Sequence, residues 1–147
     1  MITKNVVDIL LVEDNPYDAE LTLRALKEVK ILNNVVVLTD GEEAINYLFG
    51  LNEYKDRDLS LHPRVIFLDL KLPKVDGLEI LKKVKEDDRT KSIPIVIVTS
   101  SKEERDVVKS YKLGVNSYIV KPVDSEKFIE AVKDLGLYWL ILNQPPK

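Results

Sequence analysis

The chain has 147 residues, of which 45% are hydrophobic and 32% charged, as expected for one soluble globular domain with a sizeable core. Its net charge is −3 and no basic run stands out, so nothing favours nucleic acid or an anionic membrane surface, and no run of about 18 apolar residues is present to span a bilayer. There is no Cys, which removes disulfides, thiolate metal sites and a cysteine nucleophile, and the single His, His62, is read as a loop surface residue rather than part of a zinc site or catalytic triad.

The N-terminal stretch "MITKNVVDILLVED" has too short an apolar run for a signal peptide and ends on acids, so a cytoplasmic protein is expected. Within it, Val6–Val12 is a short apolar run, the pattern of a strand buried on both faces. Asn15 and Pro16 open a helix with an apolar stripe of Ala19, Leu23, Leu26 and Val29. A second strand is predicted over Asn34–Asp40 and a helix over Gly41–Leu48, with Ala44, Ile45 and Leu48 inward. Phe49–Arg64 is polar and irregular and reads as a surface insertion. Val65–Asp69 is the third strand, followed by a helix from Gly77 to Val84 or Glu86, with Leu78, Leu81 and Val84 inward. Asp76 and Gly77 are read as turn and helix-start residues. The fourth strand lies within Ile93–Ser101, and Lys102–Leu113 is a helix closed by Gly114. Asn116–Val120 is a fifth strand, and a last helix starts at about Glu126, capped by Asp124 or Ser125, and runs to about Leu142.

Five βα units in succession predict an α/β fold: a doubly wound, three-layer (βα)5 sandwich with a parallel sheet in the flavodoxin-like order 2-1-3-4-5. In that order strands 1 and 3 are neighbours, and ligands bind beyond their carboxyl ends. Glu13 and Asp14 end strand 1, and Asp69 ends strand 3. Three carboxylates in one crevice repel one another and each costs desolvation, so a divalent cation is expected there, and an all-oxygen set suits magnesium better than zinc. Thr99 and Ser100 add hydroxyls at the end of strand 4, and Lys121 adds an ammonium at the end of strand 5. Metal, cation and hydroxyl together form a phosphoryl-binding set, in which a carboxylate can itself be the nucleophile; Asp69, alone on the central strand, is the best candidate.

The segments "LLVEDNP", "VIFLDLKLPKVDG", "IVIVTSS" and "YIVKP", in this order, resemble the receiver domain of two-component response regulators over about residues 6–135. The resemblance implies that Asp69 accepts a phosphoryl group from a sensor histidine kinase or phosphotransfer protein. It implies a Mg2+ site served by Glu13, Asp14 and Asp69, with Asp14 acting directly or through water and the backbone carbonyl of Lys71 completing the set. Thr99 is then the switch hydroxyl, Lys121 pairs with the phosphoryl or carboxylate oxygen, Lys121–Pro122 is a cis peptide, and Tyr118 is the switch aromatic. Phosphorylation would shift the surface of helix 4, strand 5 and helix 5 between two states.

Lys71, two residues after Asp69, is not the commonest choice at its place in the pattern, Ser101, two after Thr99, stands at a similar place, and the phosphoryl lifetime is left open. The insertion at about 49–64 and the extended C-terminal helix and tail at about 136–147 exceed a minimal receiver and look like stand-alone receivers that partner phytochrome-type sensor kinases. The apolar stretch of Leu137, Tyr138, Trp139, Leu140, Ile141 and Leu142 is too wide for one buried stripe and suggests a homodimer face. The chain is read as a single receiver domain, residues 1–147, that is not an enzyme in the ordinary sense and has no DNA-binding output domain. The alternative is a degenerate receiver that acts as a phosphorylation-independent interaction module. An aspartyl-phosphate phosphatase would want a second Asp where Lys71 stands, and a flavin binder would want a Ser/Thr/Gly-rich loop where "EDNP" stands.

Overall fold

The computed structural model describes Val7 and residues 9–28, 34–121 and 125–137, without the side chains of residues 125 and 135–137. Five strands, β1 (Ile9–Val12), β2 (Val35–Leu38), β3 (Val65–Leu68), β4 (Ile95–Thr99) and β5 (Ser117–Val120), alternate with five helices. The helices are α1 (Pro16–Glu28), α2 (Gly41–Phe49), α3 (Gly77–Glu86), α4 (Glu104–Lys112) and α5 (Ser125–Leu137). All strand pairs are parallel and the order is β2-β1-β3-β4-β5, as the alternation predicted.

The period-2 alternation of strand side chains divides the core into two layers. Leu10, Val12, Ile66, Leu68, Ile95 and Ile97 face one way, onto Ala44, Tyr47 and Leu48 of α2 and Ile80, Leu81 and Val84 of α3. Ile9, Leu11, Val65, Phe67, Val96 and Val98 face the other way, onto Ala19, Leu21, Ala25 and Leu26 of α1 and Phe128 and Val132 of α5. A strand buried on both faces needs no polar alternation, which is why β1, β3 and β4 read as continuous apolar runs.

Several boundaries and faces differ from the sequence expectation. β2 is shorter than Asn34–Asp40 because Asp40 caps α2, its carboxylate accepting from the Glu43 N–H at 2.8 Å. Helix α4 begins at Glu104 rather than Lys102, since Ser101 Oγ donates to the Asp106 carboxylate at 2.5 Å and holds residues 101–103 off the helix. Helix α1 buries Leu21, Thr22 and Ala25 in addition to Ala19 and Leu26, and Leu23 is only partly covered, because the helix meets both the sheet and α5. Val29, Asp124 and residues 138–147, with most of the proposed dimer stretch, lie outside the described residues.

The segment after α2 is tied down. Gly50 closes α2 in the left-handed conformation (φ 66°), and a 3-10 turn follows at Asn52–Tyr54. Arg57 donates to the carbonyls of Tyr47 (2.7 Å), Leu61 (3.1 Å) and Leu48 (3.4 Å), and its guanidinium lies 4.2 Å over the Tyr47 ring. Asn46 and Tyr47 are buried beneath this cover, which the apolar periodicity of α2 did not foretell. His62, expected at the surface, is half-buried, and its Nδ1 has no hydrogen-bond partner among the described residues.

Candidate functional site

The sheet register delivers the polar residues to one edge. Val12 pairs with Leu68, so Glu13 and Asp69 emerge side by side, and the Asp69 N–H donates to the Val12 carbonyl at 3.1 Å. Thr99 pairs with Val120, and the Lys121 N–H donates to the Thr99 carbonyl at 2.7 Å, which brings Lys121 to the same edge. These are the carboxyl ends of the strands at the point where strand order reverses.

Lys121 stands at the centre. Its Nζ donates to Glu13 Oε1 at 2.7 Å, Asp18 Oδ2 at 2.8 Å and Asp69 Oδ2 at 2.9 Å. Burial works against the ammonium charge, but the bonds to Asp18, Glu13 and Asp69 outweigh it and its pKa moves upward. Burial raises Glu13 to about 7, against the Lys121 hydrogen bond. Burial also acts to raise Asp69, yet its pKa is lowered, because the Lys121 hydrogen bond and charge, the nearby Thr99 hydroxyl and the Lys71 N–H at 3.2 Å all favour its charged form. The central carboxylate is thus kept ionised.

Glu13, Asp14 and Asp69 each offer one carboxylate oxygen, and these oxygens lie within 4.8 Å of one another. Glu13 and Asp69 are buried and Asp14 is exposed, so the trio opens to solvent on one side. Three hard oxygens so placed suit a divalent cation that keeps some of its water. The loop that carries Asp69 is held by close approach at two glycines. A Cβ on Gly77 would stand 2.3 Å from the Asp69 carbonyl oxygen, and one on Gly41 would stand 1.7 Å from the Val75 carbonyl oxygen.

Thr99 is fully buried and its hydroxyl accepts from the Ser101 N–H at 3.3 Å; Ser100 beside it is exposed. Tyr118 is half-buried against the α2–α3 layer and its hydroxyl donates to the carbonyl of Ser101, two residues after Thr99, at 2.8 Å. Lys71 is exposed on the Asp69 loop. Pro122 lies outside the described residues, and with it the expected cis peptide. The site residue that sequence reasoning missed is Asp18. Its signal was present: an acid in the first turn of a helix that starts at the end of β1 is carried back over the same edge.

This fold, with a buried carboxylate held by a lysine beside two further acids, defines a phosphoacceptor receiver. Residues 9–133 match the family described as the response regulator receiver domain, and the chain belongs to that family. Response regulator Rcp1 of Synechocystis is 39% identical over 132 residues, covering 90% of this chain and 88% of the relative. The crystal structure of the Mn2+-bound form of Rcp1 superposes with a TM-score of 0.88 at 37% identity, covering 95% of this chain and 98% of that one. Phosphorylated RcpA, a cyanobacterial phytochrome response regulator, gives a TM-score of 0.88 at 39% identity and covers 95% and 97%. The bacteriophytochrome response regulator AtBRR is 54% identical, with a TM-score of 0.71 and coverage of 92% and 96%. The protein is a response regulator of a two-component phosphorelay, a signalling phosphoacceptor with an acidic cluster suited to a divalent metal. Among the described residues no helix is long and apolar enough to cross a membrane.

Proposed function

We propose that Asp69 accepts the phosphoryl group from a sensor histidine kinase or phosphotransfer protein, in a reaction that requires Mg2+. The observation that carries this reading is the Lys121 ammonium, bonded at once to Asp69 and to the buried Glu13. A carboxylate kept ionised and buried is primed as a nucleophile. An Asp69 oxygen attacks phosphorus, the P–N bond of the donor phosphohistidine breaks, and its electron pair leaves with the imidazole nitrogen. Lys121 and the Thr99 hydroxyl then face the added oxygens and offset their charge. Glu13, Asp14, Asp69 and the Lys71 carbonyl would hold the cation, which when bound offsets negative charge on the phosphoryl oxygens.

The switch reading extends from the same atoms. Thr99 drawn toward the phosphoryl group alters the space beside Tyr118, whose hydroxyl is held on Ser101. The face of α4, β5 and α5 then changes population between two states. RcpA and AtBRR are response regulators of phytochrome and bacteriophytochrome, which supports a phytochrome-type kinase as the partner class. A second copy of the chain meeting through the C-terminal helix is part of the same proposal.

Intact mass after incubation with acetyl phosphate tests the chemistry. One phosphoryl group gained by wild type, only with Mg2+, and none gained by Asp69→Asn, is the expected result. A gain by Asp69→Asn equal to wild type overturns it.

A further inference from the structure

Asp18 lies outside the trio of converging carboxylates, yet its contact with Lys121, at 2.8 Å, is as short as those of Glu13 and Asp69. Its place is rigid. The Asp18 N–H donates to Asn15 Oδ1 at 3.0 Å, its carbonyl accepts from Thr22 Oγ1 at 2.9 Å, and the first turn of α1 favours a negative side chain.

Glu13 and Asp69 have both of their oxygens engaged. Each gives one to Lys121 and the other to a backbone N–H, that of Asn15 at 3.2 Å for Glu13 and that of Lys71 at 3.2 Å for Asp69. Lys121 and a divalent cation therefore compete for the same two side chains. With one ammonium and four nearby acids (Glu13, Asp14, Asp18 and Asp69), the cost of that competition depends on where the ammonium goes. Asp18 can keep it without giving up a metal ligand.

We propose that Asp18 is a positioning residue for Lys121: it retains the ammonium at the edge of the site when a divalent cation takes up the Glu13 and Asp69 carboxylates. The role rests on the reading that Glu13, Asp14 and Asp69 bind Mg2+. Without Asp18, Lys121 has among the described residues only the metal's own ligands as partners, and it resists the cation.

The test is calorimetric titration of Mg2+ into wild type, Asp18→Asn, Asp18→Glu, Lys121→Met and the double variant Asp18→Asn/Lys121→Met. Circular dichroism checks the fold of each, with Asp18→Ser as a second way to remove the charge. Asp18→Asn is expected to raise the Mg2+ Kd about tenfold, the loss of one charge-assisted bond. Asp18→Glu is expected to restore the Kd to within about threefold of wild type. In the Lys121→Met background the same Asp18→Asn change is expected to alter the Kd less than about threefold, because the residue through which it acts is gone. A merely structural tie between α1 and β5 would shift the melting temperature without this dependence on Lys121. An Asp18→Asn Kd equal to that of a Mg2+-binding wild type overturns the positioning role alone. So does a tenfold loss that persists with Met at position 121, which would be a through-space charge effect. A wild type that binds no Mg2+ overturns the metal reading, and the positioning role with it.

Discussion

At Lys121 one ammonium answers carboxylates from the end of β1, from α1 and from the end of β3, with its side chain only 8% exposed. Removing one member of a buried charge group costs more than the group contributes in total, because the partners are left uncompensated. Lys121→Met is therefore expected to lose about 3 kcal/mol in metal-free buffer, measured by urea denaturation. A cation held by these carboxylates would bind only the folded protein, so Mg2+ is expected to raise the stability of Lys121→Met by more than it raises that of wild type. A variant as stable as wild type without Mg2+ would contradict this account of the cluster. Glu13, Asp14, Asp69, Thr99 and Lys121 were legible in the sequence because each ends a strand of an apolar run. Asp18 was marked only as an acid in the first turn of α1; that it reaches Lys121 depends on the angle at which α1 leaves β1, which a pattern of apolar residues does not encode.

Among the elements, the loop between β3 and α3 sets the position of Asp69 through close backbone approach. Asp76 caps α3, its carboxylate accepting from the Glu79 N–H at 3.0 Å, and the Gly77 N–H donates to the Leu70 carbonyl at 2.9 Å. Gly77→Ala would force its methyl into the Asp69 carbonyl, and backbone cannot yield as a flexible side chain can. The expected cost is about 1–3 kcal/mol, with slower uptake of phosphoryl from acetyl phosphate, read by thermal melting and by intact mass over time. A variant with wild-type melting and wild-type uptake would show that the loop tolerates the shift. The strands were readable from their apolar runs and the order from the alternation. The anchoring of residues 50–64 was not, since Arg57 reads as a solvated charge until the Tyr47 ring and three carbonyls surround it. The buried faces of α1 and α2 widened for a similar reason: their neighbours α5 and the 50–64 segment are distant in sequence or irregular.

Over the whole molecule, stability carries a pH signature from His62. Burial, with the Arg57 charge beside it, lowers its folded-state pKa. The unfolded chain then takes up the proton first, below about 6.5, so this contribution is present above that pH and is lost as pH falls through the folded value. Glu13 slopes the other way: its folded pKa of about 7 lies above its ordinary value of 4.5, so its contribution is full at low pH and is lost as pH rises through about 7. The difference between wild type and His62→Gln isolates the histidine. Urea midpoints are expected to converge, relative to neutral pH, as the solution is acidified; a constant difference would mean that His62 titrates alike in both states.

The doubly wound fold brings distant strand ends to one edge, and the account stands on the claim that the carboxylate at that edge, Asp69, is the phosphoacceptor. The most direct measurement is reductive trapping. Borohydride reduces an aspartyl phosphate to homoserine, and tandem mass spectrometry reads its position in the chain after treatment with acetyl phosphate and Mg2+. Homoserine at position 69 alone is the expected result. Homoserine at position 14, 18 or 76 with an unchanged Asp69 would contradict the account.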